Sequence, residues 1–548
     1  MERKELLVTD MQTAFGGNKN ISTELCSTKW FADTYEHSEY SGTFITSIKT
    51  DSPCELTFDP KLTGYYRISV GFPGRARSSV TIKLSDDKYP ATLSTLNGWD
   101  AEEMMFKCAD MTGQSIIISG KSTICSLRFV QLTDEEAEEV KYDRIRTDTK
   151  KFYASEYVGE NMDFYEGSDT EWIAPECGVE LGKTEEELNR MRHYYQMAHD
   201  VGIKVSHTIR LGYWGGSFPH ALKPSPIKFA AEHPDMHCVD RDGQELYYMS
   251  FAYPEVRKQR IDIAMEALKT GGEAVTVMIC RGVPFVAFEK PVCDAFYEKY
   301  GEYPYDRPMD DPDLNAIHCE FMAMLFRELR EAIDKEYGKD NNIEIHLRGM
   351  NSIDDCKYLG VDPVMLAKEG LIQRVITHQR RFLEELFDEV LKSKDPPRVD
   401  LEKFREFTRK GGNSTVLLWN EGDLFAPYRN SRGELYGPRN FEENVKQWES
   451  FGKEYSIPIY HELSAYCRDP HTLWKTVNRV NEAGGERFSI FNTSCCAGER
   501  NLFHLVRRIC HKNDKWASAD PNLKAYRVYR VRYIGKCYYN RYEPIWGG

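Results

Sequence analysis

Four glutamates stand where apolar segments of the chain give way to polar loops: Glu176, Glu289, Glu421 and Glu462. Hydrolysis of a glycosidic bond needs two carboxyl groups about 5 to 10 Å apart, one protonated as acid and one ionised as nucleophile or base. Glu462 closes the run Ile457-Pro458-Ile459-Tyr460-His461-Glu462, where His461 could orient a hydroxyl. Glu421 follows Trp419-Asn420, and Glu289 follows the aromatic loop that carries Phe285 and Phe288. Glu462, Glu421 and Glu289 are the expected catalytic residues. His207, Arg210, Arg281, His378, Asn420, His461 and Asn492 are expected to hold substrate hydroxyls, with Trp214, Trp419 and Phe288 stacking on sugar faces. Each has a structural alternative. Glu462 could pair with an arginine, Glu289 could be the N-terminal charge of a helix, and a strand-end histidine is more often a satisfied structural residue. The concentration of these groups favours a site, because inward charges are costly to bury without function.

Two other chemistries compete. His207, His346, His378 and His461 all fall near strand ends, which permits a metal-dependent barrel hydrolase with three or four converging ligands. The close-set His-x-His pair usual on a first strand is missing, so neither a metal nor an organic cofactor is expected. The third reading is a catalytically silent carbohydrate-binding protein.

The elements that must position these residues change character near residue 150. Residues 1–148 show short alternating segments such as Tyr65–Val70, Ser79–Leu84 and Ser115–Ser119, separated by Gly, Pro, Asp and Asn. That spacing predicts an all-β sandwich, either a packing domain or a carbohydrate-binding module. The polar stretch Asp134–Lys151 reads as a connector. Residues 149–515 alternate strands with amphipathic helices. Helices are expected over Glu185–Asp200, Pro254–Lys269, Asp313–Tyr337, Asp362–Glu369, Leu401–Lys410, Asn440–Tyr455 and Pro470–Ala483. Strands are expected over Ile203–Arg210, Ala274–Cys280, Ile343–Arg348, Leu371–His378, Ser414–Asn420, Ile457–Glu462 and Arg487–Asn492. One earlier strand, either Phe152–Tyr157 or Glu171–Pro175, completes eight units. The fold class is therefore α/β, a (β/α)8 TIM barrel with an N-terminal all-β sandwich. Residues 516–548 read as a short C-terminal β segment.

With 72 basic against 86 acidic residues, the net charge of −14 argues against nucleic acid or an anionic membrane as partner. The expected partner is an oligosaccharide or polysaccharide, and homo-oligomers are left open. No apolar run is long enough to span a bilayer, and the start lacks the apolar core of a signal peptide. The odd count of 15 cysteines, with no C-x-x-C pair, fits a reduced compartment. A cytoplasmic location is expected, with secretion after loss of a leader as the alternative.

The block HPDMHCVDRDG…YPEVR…VMICRGVPFVAFE, from His233 to Glu289, resembles a motif of glycosyl-hydrolase-like TIM-barrel proteins of a family-10-like type. The stretches SDTEWI, GIKVSHTIRLG, LGVDPVMLAKEGLIQRVITH and DPHTLWKTVNRVNEAGGERFSIFN are similar to further phrases of that family, in the same order from Asp169 to His511. The resemblance implies a polysaccharide- or oligosaccharide-active barrel. It also departs from the family: Met278 stands where the pattern has Asp. In the wider group of retaining barrel glycosidases the nucleophile is a Glu ending the seventh strand. That resemblance points to Glu462 and favours a retaining mechanism. Asn420-Glu421 resembles the acid/base pair of those enzymes, displaced from the fourth strand to the sixth.

Overall fold

The computed structural model describes residues 3–378, apart from breaks at 37–39, 74–77, 95–102, 146–149, 156–161, 215–226, 240, 244, 281–284 and 308–310. Beyond these it describes 428–429, 435–436, 441–463, 470–490, 506–507 and 509–510.

The N-terminal region is mainly β, as its alternation predicts, with one short helix at Met11–Ala14 before the strands of its core. Glu5–Val8, Ser126–Gln131, Tyr65–Gly71 and Glu103–Asp110 form one antiparallel sheet in that order. A second contains Leu56–Phe58, Ile116–Ser119, Ser79–Leu84 and Ala91–Ser94, and a third is built on the Trp30–Glu36 and Ser41–Thr46 pair. The strand Ser79–Leu84 buries every second residue, Val80, Ile82 and Leu84, against Ile68, Val70 and Phe129 of one continuous core. Each such side chain contributes about 1.5 to 3 kcal/mol.

The expected connector is instead largely helical, over Asp134–Ile145. Thr133 and Glu136 cap it reciprocally: the Thr133 amide donates to the Glu136 carboxylate at 2.9 Å, and the Glu136 amide to the Thr133 hydroxyl at 3.3 Å. A capping box starts a helix even where the following residues are mostly charged.

The barrel is closed by eight parallel strands: Phe152–Ser155, Thr170–Ala174, Lys204–Arg210, Ala274–Met278, Glu344–Arg348, Arg374–Ile376, Ile459–Leu463 and Phe488–Ile490. Both early candidates are strands, where one was expected. The sixth strand pairs directly with the seventh, Val375 with Ile459 and Ile376 with Tyr460. The expected strand Ser414–Asn420, the expected helix Leu401–Lys410 and the C-terminal segment 516–548 lie outside the described residues. The remaining helices start where their signals place them. Thr184 and Glu187 form a capping box before Glu185–Asp200, and Pro254 and Pro312 open Pro254–Leu268 and Pro312–Tyr337.

Candidate active site at the C-terminal mouth of the barrel

Side chains on a strand alternate between the lumen and the helix layer. Tyr153 fixes the parity: its hydroxyl lies 2.8 Å from the Thr276 hydroxyl and 2.9 Å from His346 Nδ1 across the lumen. Trp172 packs edge-on against His346 at 4.7 Å, and Tyr460 against Tyr153 at 5.2 Å. This middle layer plugs the barrel. Below it, Glu344 accepts from His346 Nε2 at 2.8 Å and from Arg374 at 2.7 Å. Burial alone would push its carboxyl up, but His346 and Arg374 outweigh that and hold it at about 2.

One layer toward the C-terminal mouth the lumen becomes charged. Arg348, two residues beyond His346, donates to the Ser155 hydroxyl and to Glu462 Oε2. His378 Nδ1 lies 2.9 Å from that same oxygen. The backbone amide of Glu462 donates to the Thr377 hydroxyl at 3.2 Å, and Ser155 meets Ser489 at 3.2 Å. Glu462 is 1% exposed and His378 3%. Burial acts to lower the His378 pKa, but Cys280 and Glu462 outweigh it, so the imidazole is raised above its ordinary value. Met278 fills the lumen position beside them, in register with both Arg210 and Arg348. At the rim, Arg210 donates to Glu176, whose backbone bridges to Thr208 of the third strand.

Of the expected site residues, Glu462 and His378 come together, and Arg210 stands at the rim. His207 and His461 do not join them. His207 packs on Tyr195 of the Glu185–Asp200 helix at 5.2 Å and hydrogen-bonds the Gly271 carbonyl. His461 bonds Glu449 of the helix Phe441–Tyr455 at 2.9 Å. Both have the parity of the helix layer, one residue out of phase with the lumen. Trp214 is buried between Phe229, Phe251 and the Arg260 guanidinium, which lies 3.7 Å from its ring, so its faces are occupied by protein. Phe288 belongs to the same core. Glu289 is the N-cap of the helix Lys290–Tyr300. Its carboxylate accepts the Ala287 and Val239 amides at 2.8 and 3.2 Å, which ties down its own loop. Burial pushes its pKa up. Arg281, Trp419, Asn420, Glu421 and Asn492 lie outside the described residues.

The four strand-end histidines thus point to different places: two outward, His346 into the plug and His378 to the mouth. Among the described residues no group of three or more His, Cys, Asp or Glu is arranged to hold a metal ion. Arg348, Ser155 and Ser489 meet in the mouth and were not among the expected catalytic or binding residues. Arg348 follows the inward His346 at a spacing of two, and Cys280 follows Met278 likewise, so a period-two count along each strand finds both.

No protein-family model matches the chain, and no curated protein matches it in sequence. Among solved structures it is similar to a GH26-CBM35 β-(1,4)-mannanase from Podospora anserina, with 11% identity over 93% of this chain and 96% of that one at a TM-score of 0.30. An α-galactosidase from Thermus thermophilus shares 12% identity over 84% and 90%, at 0.28. A citrate lyase from Burkholderia xenovorans shares 10% over 68% and 79%, at 0.31. At TM-scores this low none of these likenesses bears on the activity of this chain, and the barrel stands on its own ladder of strand pairs.

Proposed function

We propose that the chain hydrolyses O-glycosidic bonds of an oligosaccharide or polysaccharide, with Glu462 as its nucleophilic carboxylate. The observation that carries this is the placement of Glu462: it sits in the last strand layer of the mouth, facing the lumen, ionically held by Arg348 and oriented by His378. A carboxylate held through one oxygen by a guanidinium and an imidazole presents its other oxygen in one direction. Attack on the anomeric carbon forms a glycosyl ester while a second carboxyl group protonates the leaving oxygen, and water then releases the sugar with retained configuration. Glu421 and the rim residue Glu176 are the candidates for that second group. Full-length protein assayed on a panel of aryl glycosides is expected to hydrolyse at least one. Glu462→Gln should lower kcat by about a thousandfold or more while the variant still folds and binds sugar. Glu462→Gly with azide should yield the glycosyl azide of inverted configuration. Full activity of Glu462→Gln removes Glu462 from the mechanism.

A second reading, carbohydrate binding without turnover, is favoured by Met278, an apolar side chain in the lumen where the resembled family has its Asp. Glycan binding with no hydrolysis across the panel is the result that selects it.

A further inference from the structure

Three tyrosines that follow the fourth barrel strand form a ladder on the protein surface. Tyr297 and Tyr303 stack with ring centroids 4.7 Å apart and planes 26° from parallel, and Tyr303 stacks on Tyr305 at 5.7 Å and 24°. Their exposures are 47%, 49% and 46%. The other exposed large apolar or aromatic side chains among the described residues, Leu25, Leu181 and Tyr337, come from three separate segments.

The local sequence builds this ladder and holds it. The helix Lys290–Tyr300 buries Val292, Cys293 and Phe296, which leaves Tyr297 on its open side. Gly301 ends the helix at φ 75°, a left-handed conformation that glycine takes without strain, and its amide donates to the Tyr297 carbonyl at 2.8 Å. The reversed chain lays Tyr303 against Tyr297, and the buried Pro304 anchors the turn Pro304–Asp306 that carries Tyr305. Arg307 closes that turn: its amide donates to the Pro304 carbonyl at 2.9 Å, and its guanidinium donates to Glu302 and Asp311. Rings fixed in this way offer contact area at little cost in conformational entropy.

The ladder lies in the connection from the fourth strand to the helix Pro312–Tyr337, which leads back to the fifth strand. In a closed parallel barrel such connections leave from the C-terminal mouth, the end at which Glu462 and His378 stand. Tyr297 and Tyr305 each stack on one ring only among the described residues, so the ladder ends in ring faces that no other ring covers. The neighbouring cations are already paired, Lys290 with Asp294 and Arg307 with Glu302 and Asp311. Nucleic acid bases also stack on aromatic rings, but they require a cationic groove, and this chain carries a net charge of −14. A ring face with a phenol at its edge suits a neutral pyranose, which presents C–H bonds from its face and hydroxyls from its rim.

We propose that Tyr297, Tyr303 and Tyr305 form an accessory site that binds a neutral polysaccharide beside the barrel mouth. The choice of a saccharide rests on the function proposed above, whereas binding at the ladder needs no hydrolysis at Glu462.

The test is affinity electrophoresis of the full-length protein in gels containing glucomannan, mixed-linkage β-glucan, arabinoxylan or soluble starch. At least one polymer should retard the protein. Tyr303→Ala should raise the apparent Kd about tenfold, and Tyr297→Ala/Tyr303→Ala/Tyr305→Ala should abolish retardation with an unchanged thermal melt. Aryl-glycoside turnover should stay at the level of the unsubstituted protein, because a monosaccharide substrate occupies only the mouth. Nitration by tetranitromethane gives a readout without substitutions: the retarding polymer should protect Tyr297, Tyr303 and Tyr305. Tyr337, at the far end of the helix Pro312–Tyr337, should react at the same rate with and without it. Absence of retardation by all four polymers, equal retardation of the triple variant, or nitration of the three rings at an unchanged rate overturns the proposal. Self-association that the triple variant loses, with polysaccharide binding intact, overturns it in favour of a contact between copies of the chain. Aryl-glycoside turnover without retardation removes the ladder and leaves the hydrolase reading, and retardation through the ladder without turnover does the reverse.

Discussion

Glu462 and His378, separated by 84 residues in the chain, meet at 2.9 Å inside the barrel mouth. The contact follows from the ladder: Ile376 is in register with Tyr460, so two residues further on each strand His378 and Glu462 face each other in the lumen. The Arg348–Glu462 pair beside it has both side chains only 2% exposed. A charge pair that deep holds together mainly because neither member can be left alone.

Removing one member therefore costs more than removing both. Arg348→Met should lower the unfolding free energy by about 3 to 5 kcal/mol, because Glu462 stays buried without its counter-ion. The double variant Arg348→Met/Glu462→Met should recover most of that loss. Urea unfolding of the two variants checks this, and equal destabilisation would mean that the pair is not an electrostatic unit.

Acid should weaken the fold before carboxylates titrate. His207 and His318 are fully enclosed, and burial lowers both to about 4 despite hydrogen bonds to the Gly271 and Ala287 carbonyls. Each has a folded pKa below its unfolded value, so the unfolded chain takes the proton first. Stability should be intact above about pH 6.5 and fall as pH drops toward 4. His207→Gln should flatten that slope by about 1.4 kcal/mol per pH unit. His378 has the opposite sign: its raised pKa contributes stability below its unfolded value that is lost as pH rises through the folded one.

Trp214 tests the division between core and sugar platform. With Phe229, Phe251 and Arg260 on its faces, Trp214→Ala should cost about 3 to 5 kcal/mol. The Kd of the folded variant for a bound oligosaccharide should change by less than about threefold, a difference under 1 kcal/mol. Isothermal titration beside a thermal melt separates the two effects.

How far the molecule could be read beforehand depends on which period was counted. The change at residue 150, the closed barrel and the strand carrying Glu462 follow from runs such as Ala274–Met278 flanked by helices with Pro or capping-box starts. The end of a strand, however, does not say which way a side chain points. His207 and His461 lie in the middle of the strands Lys204–Arg210 and Ile459–Leu463, and their parity sends them to the helix layer. Counting by two from Tyr153 and its cross-lumen partners would have excluded them and admitted Arg348 and Cys280. Glu289 illustrates a different confusion, since a helix cap and an acid in a loop have the same local signature. The Thr133–Glu136 capping box was legible as a motif, but the charge around it made the stretch look like a linker.

That capping box carries its own check. Thr133→Ala should destabilise the N-terminal region by about 1 kcal/mol and leave any activity of the barrel untouched. A change in turnover without a change in stability would mean that the helix Asp134–Ile145 has a role beyond support.

The direct seam between the sixth and seventh strands separates distance along the chain from distance in space. Eighty residues of sequence lie between His378 and Ile459, yet the ladder seats His378 opposite Glu462, with Arg348 bonded to the same carboxylate oxygen. Strand pairing, and not the length of what joins the strands, sets that meeting, so a change of length between them would leave His378 and Glu462 facing each other.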